Sequence, residues 1–275
     1  MSKKGQVVRR LLLSVDARGY GAADAALQAE IQEGLVQVLD AAALEAGLAR
    51  PAWERQTGGD GELAVLPPEE PEARVVERFP RELRDALFRY NRHRAQSAKL
   101  RLRLAVHFGE ATPGVMGRSG QGPVTVSRLC DSEPLKQALE LSGADLVVIY
   151  SQQIFADTLS QGHTHLDLAD LRRVPVTVKT YTGDGWIWIP GHAVPDEVGA
   201  EAPSPPRGEP VPARESSPKG PHSGSPSPGE LSPDSPLAHP TDGTPAAHDV
   251  LGVAMVPAAG PRSRGGGRHR RDAAG

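Results

Sequence analysis

The sequence predicts an α+β protein with a ferredoxin-like core, and three observations carry this prediction. An apolar strand at 8–15 runs into a segment from Ala22 in which apolar residues have helical spacing. A glycine-rich turn at 58–61 joins two short strands in a hairpin. A second helical segment then leads to an alternating strand at 99–108. This β-α-β-β-α-β order is typical of an antiparallel sheet with helices on one face, extended here at its C-terminal end.

The first half of the chain supplies most of that core. The strand at 8–15 is rich in Val and Leu without clean alternation, which is typical of a central strand covered on both faces. The hairpin strands are expected at 53–57 and 62–66, because glycine tolerates the tight turn between them. Glutamates at 69–72 begin the next helix, which Pro80 should break or restart. The apolar face of the first helix is formed by Leu27, Ile31, Leu35, Val38 and Leu39.

The second half extends the sheet. The strand at 99–108 alternates Leu and Val with Arg and His, which predicts one buried face. The remaining elements are expected in this order: a glycine-rich loop or ribbon at 109–122, a short strand at 123–126, a helix at 127–141, a buried strand at 146–150, a helix after Ser151, an alternating strand at 174–181, and an edge hairpin in which Trp186 and Trp188 cover the core.

Composition divides the chain of 275 residues into two parts. We expect one globular domain at 8–190, which is long enough to bury a core of its own. From about His192 the chain becomes rich in Pro, Ser, Gly and Ala. Such a segment cannot bury enough apolar area to offset the entropy of ordering its backbone, so 192–275 is predicted to be a disordered tail.

Charge and composition exclude several functional classes. A net charge of -3 argues against general nucleic-acid binding, and the basic end at 262–271 is expected to be a solvated terminus. Cys130 is the single cysteine, so no intrachain disulfide can form. The sequence has no recognisable signal peptide and no apolar run of membrane-spanning length. We therefore expect a cytoplasmic protein that does not interact with membranes.

Two aspartates stand out because each follows an apolar strand and is accompanied by a glycine-containing turn. Asp60 lies at the hairpin tip between Gly59 and Gly61, and Asp16 ends the strand that begins at Val8. If the two strands are neighbours, the carboxylates could hold a divalent metal, which prefers hard oxygen ligands. Taken separately, Asp60 can be an ordinary hairpin residue and Asp16 can cap the helix that follows it.

Four segments together resemble the catalytic domain of class III nucleotidyl cyclases, the adenylate and guanylate cyclase family. They are Val15-Asp16 with Gly19-Tyr20, the hairpin at 57–66, the strand at 102–110 and the segment at 124–129. The resemblance covers roughly residues 8 to 190 and leaves out the tail. It implies a nucleotidyl cyclase-like fold and rests on the order and spacing of motifs that are individually weak.

The resemblance implies a site for two ions of Mg²⁺ or Mn²⁺. Family members hold these ions with one aspartate at the end of the first strand and one in the hairpin turn, which match Asp16 and Asp60. One ion lowers the pKa of the ribose 3′-hydroxyl, and the other holds the triphosphate and the leaving pyrophosphate. The reaction would convert a nucleoside triphosphate into a 3′,5′-cyclic nucleotide.

The resemblance also implies roles for groups that bind the nucleotide. The backbone at Ala17, Gly19 and Tyr20, in the turn that opens the first helix, would lie against the phosphates. Arg128 matches the arginine that neutralises charge on the pentacoordinate phosphorus. Arg172 lies where the family usually has a lysine on the triphosphate.

Two positions depart from the family pattern. The asparagine that orients the ribose is replaced by Val124, which cannot form a hydrogen bond with a sugar, and Thr125 is the nearest polar substitute. The base-reading residue in the hairpin is Gln56, whereas the family usually has lysine for adenine or glutamate for guanine. Because an amide side chain both donates and accepts, Gln56 does not select a base.

Two hypotheses follow from these matches and departures. The first is a metal-dependent cyclase that works as a head-to-tail homodimer, since family members take the aspartates from one subunit and the arginine from its partner. The second is a catalytically degenerate module that binds nucleotide or dimerises and has a regulatory role.

Simple structural roles are also open for several of these residues. Arg128 can pair on a helix surface with Asp131 or Glu133. His107 is expected to be an exposed strand residue, and Cys130 a small apolar filler.

Overall fold

A mostly antiparallel sheet of seven strands organises the protein, as expected for the predicted α+β class. The structure is a computed structural model and describes residues 8–114 and 117–200. Its strands are β1 (Arg9–Ala17), β2 (Glu54–Gly58), β3 (Gly61–Val65), β4 (Leu102–Glu110), β5 (Thr112–Gly114), β6 (Gly117–Ser119), β7 (Leu146–Ser151), β8 (Arg172–Val178) and β9 (Tyr181–Trp188). Its longer helices are α1 (Ala25–Ala46), α2 (Phe79–Asn91), α3 (Gln121–Cys130) and α4 (Glu133–Ser142).

The strand order confirms the predicted ferredoxin-like core. Neighbours follow the order β2-β3-β1-β4, and each of these pairs is antiparallel. The sheet continues through β7, which runs parallel to β4, and then through β9 to β8. The predicted glycine-rich ribbon is the separate pair β5-β6. The last hairpin is only partly at the edge of the sheet. Its strand β9 pairs with both β7 and β8, so only β8 of the two hairpin strands is an edge strand.

Helices cover both faces of the sheet. On one face, Leu13 and Val15 of β1 pack with Val38 of α1 and Leu83 of α2, so the two core helices share a face as predicted. On the opposite face, Leu12 of β1 lies in a second cluster. That cluster also contains Ala105, Val126, Leu129, Leu135, Leu139, Val147 and Ile149, which come from β4, β7, α3 and α4.

The prediction of a single buried face for β4 is wrong. Ala105 is fully buried and His107 is 8% exposed, so the polar-looking side of the strand is covered by α3 and its neighbours. The expectation that His107 is exposed is therefore also wrong. The alternating pattern of β4 suggested an exposed side because the buried positions on that side of the strand carry small or polar side chains rather than leucines.

The segment that contains Arg128 is helical from its start. A strand was predicted at 123–126, but these residues belong to α3. Its β-branched residues Val124, Thr125 and Val126 suggested a strand, yet Val126 is buried in the helix against the sheet, where packing outweighs local preference. Pro123 is tolerated near the helix start because the first turn needs no N–H donor there. The single helix predicted at 127–141 is divided at Asp131 and Ser132 into α3 and α4.

Other helical boundaries follow the sequence more closely. Pro80 lies in the first turn of α2, directly after a π-helical turn at Arg74–Arg78. The helix therefore restarts close to Pro80, as expected. A short helix, Gln152–Ile154, follows Ser151, whose side chain accepts a hydrogen bond from the Ile154 amide. Trp188 is buried and Trp186 packs against the same core, as expected for residues that cover it. In residues 8–114 and 117–200, no helix is long and apolar enough to span a membrane.

Residues 192–200 are held against the sheet. Val198 is 2% exposed in the second cluster, and Arg172 donates to the Asp196 carbonyl at 2.9 Å. The packed chain therefore continues to at least residue 200. The predicted tail beyond that position, including the basic end at 262–271, lies outside the described residues.

Truncation should separate the packed residues 192–200 from the chain that follows. Removing residues 201–275 should leave the melting temperature nearly unchanged, because that segment has few apolar side chains to bury. Removing residues 192–275 should lower the free energy of unfolding by about 1–2 kcal/mol through lost burial of Val198. Thermal and denaturant unfolding of both truncated chains would measure the difference. Equal stability of the two would contradict the role given to Val198.

His107 should make folding sensitive to acid. Burial, assisted by nearby Arg9, lowers the pKa of His107 from 6.5 to about 4. Between pH 6.5 and about 4, His107 is protonated in the unfolded chain but neutral in the folded chain. The stability that is present above pH 6.5 is therefore lost as the pH falls toward 4. The loss should approach ~3 kcal/mol at a conversion of about 1.4 kcal/mol per pKa unit. Denaturant unfolding between pH 7 and 4 should show a shallower fall in His107→Gln, and identical slopes would contradict the assignment.

Candidate functional site

The pairing of β1 with β3 brings Asp16 and Asp60 to the same end of the sheet. Asp16 is the penultimate residue of β1 and lies opposite Gly61, the first residue of β3. Asp60 is in the turn just before Gly61, and its carbonyl accepts a hydrogen bond of 2.8 Å from the Ala17 amide. The two acids are therefore neighbours across the strand ladder, as expected if the two strands lie side by side.

Close approach explains two glycines of the hairpin turn. A Cβ atom on Gly61 would lie 2.5 Å from the Val15 carbonyl oxygen, and one on Gly59 would lie 2.9 Å from the Tyr20 ring. Gly58 has no such neighbour within 4 Å. None of the three adopts a left-handed φ, so the turn depends on the small size of Gly59 and Gly61 and not on their conformational freedom.

Asp16 and Asp60 both line two adjoining clefts. The first cleft, of about 290 Å³, is formed by Asp16, Ala17, Arg18, Gly19, Tyr20, Gly21, Asp60, Arg103, Lys136, Leu139 and Glu140. The second, of about 360 Å³, shares Asp16, Asp60 and Arg103 with the first and includes Gln56, Thr57, Glu62, Ser127, Cys130 and Asp131. Both acids therefore line both clefts, whose volumes lie near the lower end of the range of small-ligand sites.

Arg103 is a site residue that the sequence reasoning missed. It lies directly opposite Asp16 in the β1–β4 ladder, and its Nη2 donates to Asp16 Oδ2. Arg103 lines both clefts. The sequence does show a charged residue at position 103 within an otherwise apolar strand. Only the strand register shows that this residue faces Asp16.

Burial and neighbouring charges shift the pKa of the Asp16 carboxyl group in opposite directions. Burial raises the pKa of Asp16, and the carboxylates of Asp60 and Asp131 raise it further, while Arg103 opposes both effects. The raised pKa reports an acid that is partly removed from water and repelled by its neighbours.

One of the backbone donors predicted to face phosphate, the Ala17 amide, is already used within the protein. The amides of Ala17 and Arg18 already donate to the carbonyls of Asp60 and Arg101, so they face protein rather than ligand. Gly19 has φ 85° and leads into a 3₁₀ turn at Tyr20–Ala22. The cap of α1 is Asp24, which accepts from the Leu27 amide at 2.9 Å; Asp16 lies within β1 and caps no helix.

Tyr20 supports the hairpin tip through α1. Gln32 of α1 donates from Nε2 to the Tyr20 hydroxyl at 2.8 Å and to the Gly59 carbonyl at 3.0 Å. The Tyr20 ring lies beside Gly59. This arrangement fixes the tip that carries Asp60 relative to the first helix.

The structure assembles some of the predicted residues and separates others. Ala17, Gly19 and Tyr20 line the first cleft with both acids, and Gln56 lines the second. Gln56 also contacts Gly117 of the β5-β6 ribbon.

Three predicted residues lie elsewhere. Thr125 and Arg128 are on α3, outside the described linings of both clefts. Arg172 begins β8 at the far edge of the sheet, where its guanidinium binds Asp196. A single chain therefore presents the acids without Thr125 and without the two arginines.

Arg128 has no carboxylate partner within the described part of the chain. Asp131, a candidate partner, is instead 2.6 Å from Lys136. The Arg128 Nε atom is buried without a hydrogen-bond partner among residues 8–114 and 117–200. Val124, one turn earlier on α3, is 42% exposed. An arginine without a carboxylate partner thus lies one turn from an exposed apolar side chain on α3.

Cys130 fits the expectation of a small apolar filler. It is buried, and burial raises the pKa of its thiol to about 12. Its Sγ donates weakly to the Arg103 carbonyl at 3.6 Å. A thiol with so high a pKa is not a nucleophile at neutral pH.

The donor set suits a metal ion that brings its own phosphate ligands. Across the described ranges, no group of three or more His, Cys, Asp or Glu residues could enclose an ion. Mg²⁺ is commonly bound by only one or two carboxylates together with substrate phosphates and water. Two neighbouring carboxylates that line the same clefts would fit that pattern, and Arg103 would have to share Asp16 with the ion.

Comparisons with known proteins return cyclases among solved structures only. No family model and no curated protein matches the chain. A guanylate cyclase domain from Catenaria anguillulae in complex with GTP is 17% identical, with 65% of this chain and 95% of that chain covered and a TM-score of 0.43. The adenylate/guanylate cyclase/hydrolase from Silicibacter pomeroyi is 17% identical over 67% and 99%, with a TM-score of 0.44. The adenylyl cyclase CyaB from P. aeruginosa is 14% identical over 66% and 94%, with a TM-score of 0.43. At these sequence identities and TM-scores, the similarity carries no information about the function of this chain.

The two hairpin glycines should respond differently to alanine. Gly61→Ala should destabilise the protein by about 1–3 kcal/mol, because its Cβ would collide with the backbone of β1. Gly58→Ala is the matched control and should change stability little, since nothing lies within 4 Å of its Cβ position. Denaturant unfolding of both variants would test the packing. A Gly61→Ala protein as stable as the control would contradict the tight contact between the tip and β1.

Proposed function

We propose that this chain is a divergent class III nucleotidyl cyclase-like protein. It would form a 3′,5′-cyclic nucleotide and pyrophosphate from a nucleoside triphosphate. The observation that carries the proposal is the convergence of Asp16 and Asp60 on open clefts at one end of the sheet. These are the two aspartates that the family resemblance assigns to metal binding.

Asp16 and Asp60 would hold two ions of Mg²⁺ or Mn²⁺. Such ions activate the ribose 3′-hydroxyl and neutralise the triphosphate. The chain's own part is to keep both carboxylates in place, through the β1–β3 register and the contacts of Tyr20 and Gln32 with the tip. Arg103 balances the charge of Asp16 and lines both clefts, so its guanidinium is within the space that phosphate oxygens would enter.

A second copy of the chain would complete the site. Thr125, Arg128 and Arg172 lie outside the clefts of their own subunit, and a head-to-tail homodimer would bring them to the partner's acids. Arg128 suits this role because no carboxylate among the described residues pairs with it, Asp131 being paired with Lys136 instead. Its guanidinium would stabilise the charge on the pentacoordinate phosphorus.

Gln56 places an amide in the second cleft, where the base would be read. The amide can donate to or accept from either purine, and also from a pyrimidine. The proposal therefore names a nucleoside triphosphate as substrate and no particular base.

A degenerate binding module is the second candidate, and Val124 favours it. Its side chain is exposed on α3 at the position where the family orients the ribose, and it cannot donate or accept a hydrogen bond. In that case the chain would bind nucleotide or dimerise without turnover.

Product formation distinguishes the two candidates. The full chain with Mn²⁺ and each of the four nucleoside triphosphates should yield a cyclic nucleotide, detected by mass spectrometry. Asp60→Asn should abolish the product, because the hairpin carboxylate is lost, whereas Asp85→Asn on α2 should not. No cyclic product with any of the four at protein concentrations that keep the chain dimeric would refute the enzyme and leave the module.

Mixing two inactive variants tests the composite site. Asp60→Asn and Arg128→Ala should each be inactive alone, because every site in either homodimer lacks one group. After subunit exchange at equal concentration, half of the dimers should contain one intact site, giving about a quarter of the unmodified activity by two-fold symmetry. Failure of the mixture to recover activity, with dimers seen by analytical ultracentrifugation, would contradict sharing of residues between subunits.

A further inference from the structure

Lys136 lies on the first cleft although no part of the sequence reasoning selected it. The residue is on α4, and it lines the cleft together with Asp16, Asp60 and Arg103. It therefore comes from the same chain as the two acids, unlike the cations that a second copy would bring.

We propose that Lys136 is a phosphate-binding residue of this cleft and acts within its own subunit. The identity of the ligand, a triphosphate, rests on the proposed function. The position of the ammonium group, its charge and its present partner come from the structure.

The charge pairing within the cleft singles out Lys136. The described lining contains three cations, Arg18, Arg103 and Lys136. Arg103 pairs with Asp16 and Arg18 pairs with Glu140, and both of these carboxylates belong to the same lining. Lys136 is paired 2.6 Å away with Asp131, which lines the neighbouring cleft instead. Of these three cations, Lys136 can therefore turn toward a ligand in the first cleft without removing the partner of a carboxylate in that cleft.

The ion pair of Lys136 is easily exchanged. The Lys136 side chain is 41% exposed and that of Asp131 is 56% exposed. Pairs between such exposed groups contribute little to stability, since water screens them and both side chains lose freedom. A triphosphate with several charged oxygens would compete well against one carboxylate for the same ammonium group.

Packing of α4 fixes the direction of the lysine. Leu135 and Leu139 are buried in the second cluster, which sets the rotation of the helix. The corner before the helix is held by Ser132, which is fully buried and donates from Oγ to the Leu129 carbonyl at 2.7 Å. Lys136 and Glu140 are one turn apart, and both line the cleft.

The test uses inorganic tripolyphosphate with Mn²⁺ as a probe that has no base or sugar. Calorimetric titration of the full chain should show binding, and Lys136→Gln should weaken it roughly tenfold because one charge-assisted contact is lost. Lys136→Arg should recover most of the affinity. Lys179→Gln is the matched control, because Lys179 is an exposed lysine just after β8, at the opposite edge of the sheet, and should bind like the unmodified chain.

Asp131→Asn supplies an effect of opposite sign. Removing the competing carboxylate should tighten tripolyphosphate binding by roughly two- to fivefold, since Lys136 no longer has to leave a partner. A purely structural ion pair would instead give two variants with lower melting temperatures and unchanged affinity, so melting curves are recorded for each.

Each outcome decides the proposal. If the unmodified chain binds the probe and Lys136→Gln binds equally well, or if Lys179→Gln loses as much affinity, the role of Lys136 is refuted and the proposed function stands. If the unmodified chain does not bind the probe but binds a nucleoside triphosphate with Mn²⁺, the role of Lys136 is refuted and the proposed function stands. If it binds neither, both fail.

Discussion

The register of β1 is the constraint on which the rest of the site depends. This strand pairs with β3 on one side and with β4 on the other, and Asp16 faces Gly61 across the first ladder and Arg103 across the second. A shift of one residue would reverse the faces of the whole strand and place Leu12 where Leu13 now packs. The hydrophobic clusters on both faces therefore fix the position of the acid at its end.

Local patterns were sufficient for the core and for the two acids. The apolar strand, the glycine turn and the helical spacing of α1 each have a short-range signal, and their order defines the topology. The signals failed where burial depends on distant packing. Val124 to Val126 has the composition of a strand but lies in a helix that covers β4, and His107 lies beneath that cover. Arg103 and Lys136 escaped notice because only the three-dimensional register brings them to Asp16.

The site combines a rigid half with an adaptable half. The acids are held by strand pairing and by contacts of the hairpin tip, which leave them little freedom. The cations around them reach the clefts on long side chains, and two of the pairs, Arg18 with Glu140 and Lys136 with Asp131, are exposed. Fixed anions with movable cations suit a ligand that arrives as a metal-bound polyanion, since the pairing pattern can change while the sheet stays in place.

The double hydrogen bond from Gln32 has a mechanical consequence. Gln32 lies in the N-terminal half of α1, a helix of 22 residues. Its side-chain amide connects this helix to Tyr20 and to the backbone of Gly59, next to Asp60. The loop that carries Asp60 is therefore held from two directions, by the strand ladder and by a helix that packs on one face of the same sheet. A substitution at Gln32 would remove the second of these supports while leaving every residue of the clefts in place.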